Sequence, residues 1–508
     1  MTGKHTLFWA VVCVMMAACG TSTTDVDSAN GDVITSEDAS AAGDDGVPVD
    51  GSAEDVDGPP EADTPGIDDG ASVAADAPVD DTPPPDTQPY FDLDHVLDVD
   101  IEMAPEDWES LRLETRTIAD ILGGDCLHGP PDQIFSWFPA TVTVDGVTVS
   151  GAGVRKKGYL GSMSDEKPSL KVRFDKFGEE LLDGVLQRLT LNNVQQDTSK
   201  LNTCMSYHVF ASAGAPTPRC NFATVTVNGT DLGLFVHVES IKKEFVARHF
   251  DDAEGNLYEG TLSDFRPVWK NTFDKKSNTS EADWSDIDAV ADALSDESPA
   301  GLETLTELVD VDRFLTHWAL EVLVGHWDGY AGNRNNFYLY REPDGPFVFI
   351  PWGPDSSFNP INHPFQDITD PQSVLAHSGL ANRFYRDDAI RAAYVARMVE
   401  LLDTVWDEEA LNTTVDQMAQ VIGTYTTGEE RSAAGWDTQR VRNFVNGRRA
   451  AVLADLQPTP AAWPWSLNPP DICWEILGAV DITFEATWGT QGTDDFMDVG
   501  SAQVASYV

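Results

Sequence analysis

Between residues 326 and 358 the chain reads HWDGYAGNRNNFYLYREPDGPFVFIPWGPDSSF, and three of its side chains are spaced for joint chemistry. Asp328 is a carboxylate able to take the proton of an incoming hydroxyl. Asn333, five residues on, lies where the chain can turn back and bring an amide oxygen to a divalent metal. A predicted hairpin around Pro343-Asp344-Gly345 follows, and Asp355 opens the loop after it. Asp355 is a second hard oxygen donor of the kind Mg²⁺ takes. His326 fits as a residue that orients the loop. The bland alternative is a polar turn after a buried helix, with Asp328 as a cap.

A second group of residues could hold phosphate. The alternation predicts a strand over 167–174, with Lys167, Lys171 and Arg173 on one face and Leu170, Val172 and Phe174 on the other. With Arg155 and Lys157 nearby, this is a rare positive patch in an acidic chain, suited either to a triphosphate or to ion pairs with the abundant acids. Gly151, Gly153 and Gly158 could let backbone approach phosphates but do not form GxGxxG, and they fit a bulge or turn equally well. Glu239 ends a predicted strand and precedes a helix, where it could reach a ribose or simply favour the helix N-terminus. His208 and His237 read as structural histidines.

These residues need a frame. Strands are predicted over 95–103, 140–149, 186–191, 222–227 and 232–238, with hairpins at Asp145-Gly146 and Asn228-Gly229. Helices are predicted from Pro105, over 201–213 and over 242–250. Residues 264–298 read as a polar, loop-rich insertion. An apolar helix over 311–324 leads into the 326–358 run, whose strands are 337–340 and 347–350. Helices follow over 390–405, 415–424 and 441–456. A strand-rich front half before a helix-rich back half predicts an α+β fold of two lobes. Residues 459–508 carry a short alternating stretch, 480–488, and no legible function.

The termini and composition bound the setting. Lys4 and the twelve apolar residues 7–18 have the shape of an export signal. Met16-Ala17-Ala18-Cys19 makes it resemble a bacterial lipoprotein signal, which implies cleavage after residue 18, lipidation of Cys19 and a cell-envelope location. From 20 to 90 the chain holds nineteen Asp and Glu and no Lys or Arg, so residues 19–90 are expected to be a disordered, self-repelling linker. The whole chain carries 85 acids and 32 Lys and Arg, a net charge of −53 that excludes a basic footprint for nucleic acid. Cys126, Cys204, Cys220 and Cys473 allow three disulfide pairings, among which the sequence does not choose. No GxSxG, HExxH or dinucleotide fingerprint supports a hydrolase or dehydrogenase.

His326, Asp328 and Asn333 also reproduce the H-x-D-x4-N spacing of the protein-kinase catalytic loop. Over residues 93–457 the chain resembles the CotH kinases, atypical secreted protein kinases. The segments that carry this are Val154-Arg155-Lys156-Lys157-Gly158-Tyr159, Lys167-Pro168-Ser169-Leu170-Lys171 and Leu191-Asn192-Asn193 with Asp197 and Ser199. They continue with Gly214-Ala215-Pro216-Thr217-Pro218-Arg219, Gly233-Leu234-Phe235, Glu239 and Gly255-Asn256-Leu257-Tyr258. The last are Asp328, Asn333, Asn336-Phe337-Tyr338-Leu339-Tyr340 and Ile350-Pro351-Trp352.

The resemblance implies a two-lobed kinase-like domain over 91–458. It implies transfer of the ATP γ-phosphoryl group to Ser or Thr of secreted or surface proteins, with Mg²⁺ or Mn²⁺. It places the catalytic carboxylate at Asp328, metal ligands at Asn333 and Asp355, and nucleotide contacts at Arg155, Lys167, Lys171 and Glu239, with Lys167 the better match to the family's lysine. Three positions depart from the family: Gly353 stands where an Asp is usual, Asn202 where Arg is, and Glu259 where Lys is. Two further readings stay open, a catalytically silent scaffold on the same fold and a transfer of some other part of ATP.

Overall fold

Alternating apolar residues in the front half close a seven-stranded barrel. The computed structural model describes residues 86–116, 129–359, 371–426 and 428–467, and the backbone of 476–488 and 496–507. The export signal, Cys19, most of the acidic stretch, Cys126 and Cys473 lie outside the described residues. The front elements are β1 (Val96–Met103), α1 (Pro105–Leu113), β2 (Phe138–Val144), β3 (Val147–Lys157), β4 (Ser169–Arg173), β5 (Arg188–Asn192), α2 (Asn202–Ser212), β6 (Cys220–Val227) and β7 (Thr230–Val238). Around the barrel the order is β1-β2-β3-β4-β5-β7-β6, and β6 returns to pair parallel with β1. The other neighbours pair antiparallel.

Leu97, Val99 and Ile101 of β1, Val142 and Val144 of β2, and Leu170 and Val172 of β4 point into the barrel and are at most 1% exposed. Each such side chain contributes roughly 1.5–3 kcal/mol by leaving water. Asp145 and Gly146 both take positive φ, as the two-residue turn between β2 and β3 requires. The register of β2 with β3 slips by one residue beside Gly151, so the bulge reading holds there. A β-carbon on Gly151 or Gly153 would press on Phe177 and Gly178 or on Lys176 and Trp137, so close packing accounts for both glycines.

The back half holds α3 (Lys243–His249), β8 (Asn256–Gly260), β9 (Asp274–Lys275), α4 (Ser285–Ser295), α5 (Pro299–Leu308), α6 (Val311–Val324), β10 (Phe337–Arg341), β11 (Phe347–Pro351), α7 (Gly379–Arg386), α8 (Asp388–Thr404), α9 (Glu408–Gly423) and α10 (Gly428–Leu456). A four-stranded sheet in the order β11-β10-β8-β9 packs with these helices. The core centres on α6, whose Phe314 and Trp318 meet Tyr330, Phe349 and Tyr394. Asp310 caps α6 by accepting the Arg313 N–H at 3.0 Å, and Gly325 ends it in the left-handed conformation. Buried Arg448 of α10 donates to the Val322 and Leu323 carbonyls, a cation on the negative end of the helix that delivers the 326–358 run.

The α+β expectation holds, strand-rich in front and helix-rich behind. Three boundaries change. The supposed insertion over 264–298 contains β9 and α4, and Phe265, Trp269, Phe273, Ile287 and Val290 are buried, so its polar surface residues masked an apolar face. The ordered part starts before residue 91, because Tyr90 and Phe91 are buried and Arg219 donates to Thr87 and Gln88. It also continues past 458, where Trp463 packs on the core and Tyr385 donates to the Ala461 carbonyl at 2.6 Å. Residues 476–507 form a β12–β13 hairpin, Ile476–Trp488 with Phe496–Tyr507. Of the three cysteine pairings, Cys204–Cys220 is formed and ties α2 to the start of β6.

Candidate active site

The loop after α6 folds back on its own helix. Glu321, fully buried in α6, accepts the Tyr330 N–H at 2.8 Å and the Ala331 N–H at 2.9 Å, and pairs with His317 Nε2 at 3.1 Å. Burial pushes its carboxyl up, but His317, His326 and the Ala331 N–H more than offset this and hold it below the usual range. Asn333 N–H then donates to the Trp327 carbonyl at 2.9 Å. The turn is thereby closed around Asp328. Buried His326 donates through Nε2 to the Trp352 carbonyl at 3.1 Å, which ties this loop to the end of β11.

Asp328 sits in a ring of amides. Asn333 Nδ2 donates to Oδ1 at 2.7 Å and Asn336 Nδ2 donates to Oδ2 at 2.7 Å, with Asn335 Nδ2 at 3.4 Å from Oδ1. Burial nevertheless pushes the Asp328 carboxyl up to about 6, against the pull of the three amides. Asp355, on the turn Pro354–Ser356, is pushed up to about 7 by burial and by the charges of Asp328 and Asp197, while Lys157 pulls the other way.

Helix α2 braces this second carboxylate. Asn202 Nδ2 donates to the Asp355 carbonyl at 2.7 Å, and the Tyr207 hydroxyl hydrogen-bonds the Gly353 backbone. Buried Asp197 accepts the N–H groups of Asn202 and Ser199 and so fixes the start of α2.

Cations face these acids from the barrel. Lys157 donates to Asn192 Oδ1 and lies 5.9 Å from the Trp352 ring. Burial lowers it to about 8, against the attraction of Asp355 and Glu259. Lys171 is driven well below the usual lysine range by burial and by Arg155, and Glu259 opposes that. Glu259, on β8, bonds Lys276 at 2.8 Å. Although burial would raise it, Lys276 and Lys171 hold its carboxyl at about 2. Arg155 pairs across the ladder with Lys171 and stacks 4.7 Å from the Trp137 ring.

The sequence-derived candidates divide. Asp328, Asn333 and Asp355 come together, with Lys171 and Arg155 on the barrel side. Lys167 does not join them. It precedes β4, and its ammonium donates to the Leu234 carbonyl at 2.7 Å over the Phe235 ring. Lys157, two strand positions beyond Arg155, faces Asp355 in its place. Glu239 is clamped by Arg219 at 2.8 Å and by Arg248, which engages the carboxylate wanted for a ribose. His237 is buried against Phe91 and pairs with Asn221, as a structural histidine should. Glu321, Asn335 and Lys276 were not singled out. Glu321 had a visible signal, a lone acid inside the apolar run 318–324.

Among the described residues no cluster of three or more His, Cys, Asp or Glu side chains is gathered for a metal ion. The donors present are two carboxylates and an amide. They fit Mg²⁺, which keeps several waters and takes phosphate oxygens. The mutual repulsion of Asp328, Asp355 and Asp197 is what a cation would relieve.

The family model for CotH kinase protein matches residues 154–452. The inner spore coat protein H of Bacillus subtilis is 23% identical over 248 residues, which span 46% of this chain and 68% of that protein. Among solved structures, the Helicobacter pylori proinflammatory kinase CtkA matches with a TM-score of 0.30 at 11% identity, over 56% of this chain and 91% of that one. The Shewanella oneidensis HipA–HipB–operator DNA complex matches with a TM-score of 0.28 at 10% identity, over 59% of this chain and 66% of that one.

Proposed function

The chain belongs to the CotH kinase protein family, and we propose that it transfers the γ-phosphoryl group of ATP to a Ser or Thr hydroxyl of a secreted or surface protein. The observation that carries this reading is Asp328, held by Asn333 and Asn336 and set beside Asp355 under Lys157 and Lys171. Asp328 orients the acceptor hydroxyl and takes its proton as the oxygen bonds to the γ-phosphorus. The bond from that phosphorus to the β-γ bridging oxygen breaks, and ADP leaves. Asn333 and Asp355 would hold Mg²⁺ or Mn²⁺, which supplies charge neutralisation on the phosphates when bound. Lys157, Lys171 and Arg155 would meet the phosphate oxygens as charge-assisted donors. Positioning and electrostatics supply most of the rate in such a transfer. We further propose export, with anchorage through lipid on Cys19 and the acidic stretch as spacer.

A second reading, a silent scaffold on the same fold, draws on Gly353 and Glu259, where the family carries Asp and Lys. One experiment separates the two. The purified chain is incubated with γ-labelled ATP, Mg²⁺ or Mn²⁺ and a generic acceptor protein, beside Asp328→Ala. Label transfer that the substitution abolishes supports the kinase. No transfer, with no rise in melting temperature on adding nucleotide, supports the scaffold. Transfer of α-label instead would identify a different transferred group.

A further inference from the structure

On the other side of α2 from Asp355 lies a cavity of about 410 Å³, within the size range of small-molecule sites. None of Asp328, Asn333, Asp355, Lys157 or Lys171 lines it. Its walls are largely apolar, and three of them are ring or thioether side chains: Phe91, Tyr207 and Met418. Arg219, Arg248 and His249 add polar edges to the same space. The Cys204–Cys220 disulfide closes one side.

The charge in this cavity is unbalanced. Arg219 and Arg248 share one carboxylate, Glu239. His249 is lowered to about 4 by burial and by Arg248, so it is neutral near pH 7 and adds hydrogen-bonding capacity without charge. Two guanidinium groups against one carboxylate leave one positive charge. Two buried nitrogens of the lining, Arg219 Nε and His249 Nε2, have no hydrogen-bond partner. Buried polar groups are ordinarily satisfied, and an orphaned donor beside a cavity marks the place of an acceptor. The Arg219 guanidinium already stacks 4.2 Å from the Phe91 ring, which sets a flat cation beside the apolar wall.

We propose that this cavity is a second ligand site, distinct from the phosphotransfer cleft, and that it takes a small aromatic monoanion. The ring lies against Phe91, Tyr207 and Met418, and the anionic group accepts from Arg219 Nε and meets Arg248. The site stands whether or not the chain is a phosphotransferase. Its occupant touches the helix whose Tyr207 and Asn202 hold the Asp355 segment.

The probe is 8-anilinonaphthalene-1-sulfonate, an aromatic monoanion whose fluorescence rises in apolar surroundings, titrated into the full chain. Saturable binding of one equivalent is expected, undiminished by excess MgATP. Ala211→Trp fills the cavity from an exposed helix position, and it should weaken the probe at least tenfold without lowering the melting temperature. Arg248→Gln should weaken it about tenfold while leaving the apolar walls in place. Binding that MgATP displaces, binding unchanged in both variants, or no saturable binding at all would overturn the assignment.

Discussion

Asn336 stands so close to Gly353 that a β-carbon on the glycine would lie 2.8 Å from Asn336 Oδ1. The other end of the same amide donates to Asp328 Oδ2. Gly353 also has φ of +52°, where L side chains are uncommon. The family's Asp therefore cannot simply be restored here. Gly353→Asp is expected to displace Asn336, loosen Asp328 and lower the melting temperature by roughly 2–4 °C, about 1 kcal/mol of backbone strain in a chain this size. Any phosphotransfer should fall. Asn336→Ala in the same chain removes the collision, so the double substitution should be less harmful than the sum of the two singles. Additive losses in melting temperature and rate would show that the contact does not couple the two positions.

The pH dependence follows from burial. Asp328 is pushed up to about 6 and Asp355 to about 7, both above the unfolded value near 4. A carboxyl raised on folding binds its proton more tightly in the native state, so stability falls as pH rises from about 4 towards 7. The ligand-free chain should melt several degrees lower at pH 7 than these two groups alone would dictate at pH 5. Asp355→Asn should recover roughly 2 °C or more at pH 7 and little at pH 5. The acid limb of phosphotransfer should lie near pH 6. Asn336→Ala, which removes a donor to the carboxylate, should move that limb upward, and a limb that stays put would separate Asn336 from the titrating group.

Glu259 puts an acid where the family has a lysine, and the structure surrounds it with Lys276 and Lys171. The charge of this corner has been rearranged as a pair. Glu259→Gln leaves two cations without their counter-charge, and removing one partner of a buried pair costs up to about 3–5 kcal/mol. A fall in melting temperature of several degrees is expected. MgATP should bind tighter, because Lys171 no longer answers to a fixed carboxylate. Calorimetric titration decides it: weaker binding would mean that Glu259 orients the lysines and does not compete for them.

Much of this was legible because the barrel strands alternate cleanly and the Asp-Gly and Asn-Gly turns name their own conformation. The Asp328, Asn333 and Asp355 group was also legible, since all three lie within one short stretch bounded by a hairpin. The choice of Lys167 over Lys157 was not. Spacing on β4 placed Lys167 beside Lys171, but the strand begins only at Ser169, so Lys167 escapes the alternation and turns to Leu234. Nor could the sequence show that Glu239 is engaged by Arg219 and Arg248, because those contacts span 20 and 9 residues across a barrel edge and a helix. The 264–298 error came from counting polar residues without testing Ile287, Val290 and Leu294 for helical spacing.

Glu321 offers the last test, because it acts on Asp328 only through the backbone between them. Its carboxylate accepts two loop N–H groups, and a β-carbon on Gly329 would meet its Oε1 at 2.2 Å, so the turn is wrapped tightly around it. Glu321→Gln keeps the size but offers a single acceptor oxygen to Tyr330 and Ala331 and turns an amide donor towards the other. The loop should loosen around Asp328, with phosphotransfer turnover falling roughly 10–100-fold, the range set by loss of supporting contacts to a reacting group. The KM for ATP should stay within about twofold, since Lys157 and Lys171 lie on the barrel. Glu321→Asp, which keeps both acceptors on a shorter arm, should recover part of the turnover. A residue that served only stability would lower the melting temperature without this split between turnover and KM, and without partial rescue by the shorter acid.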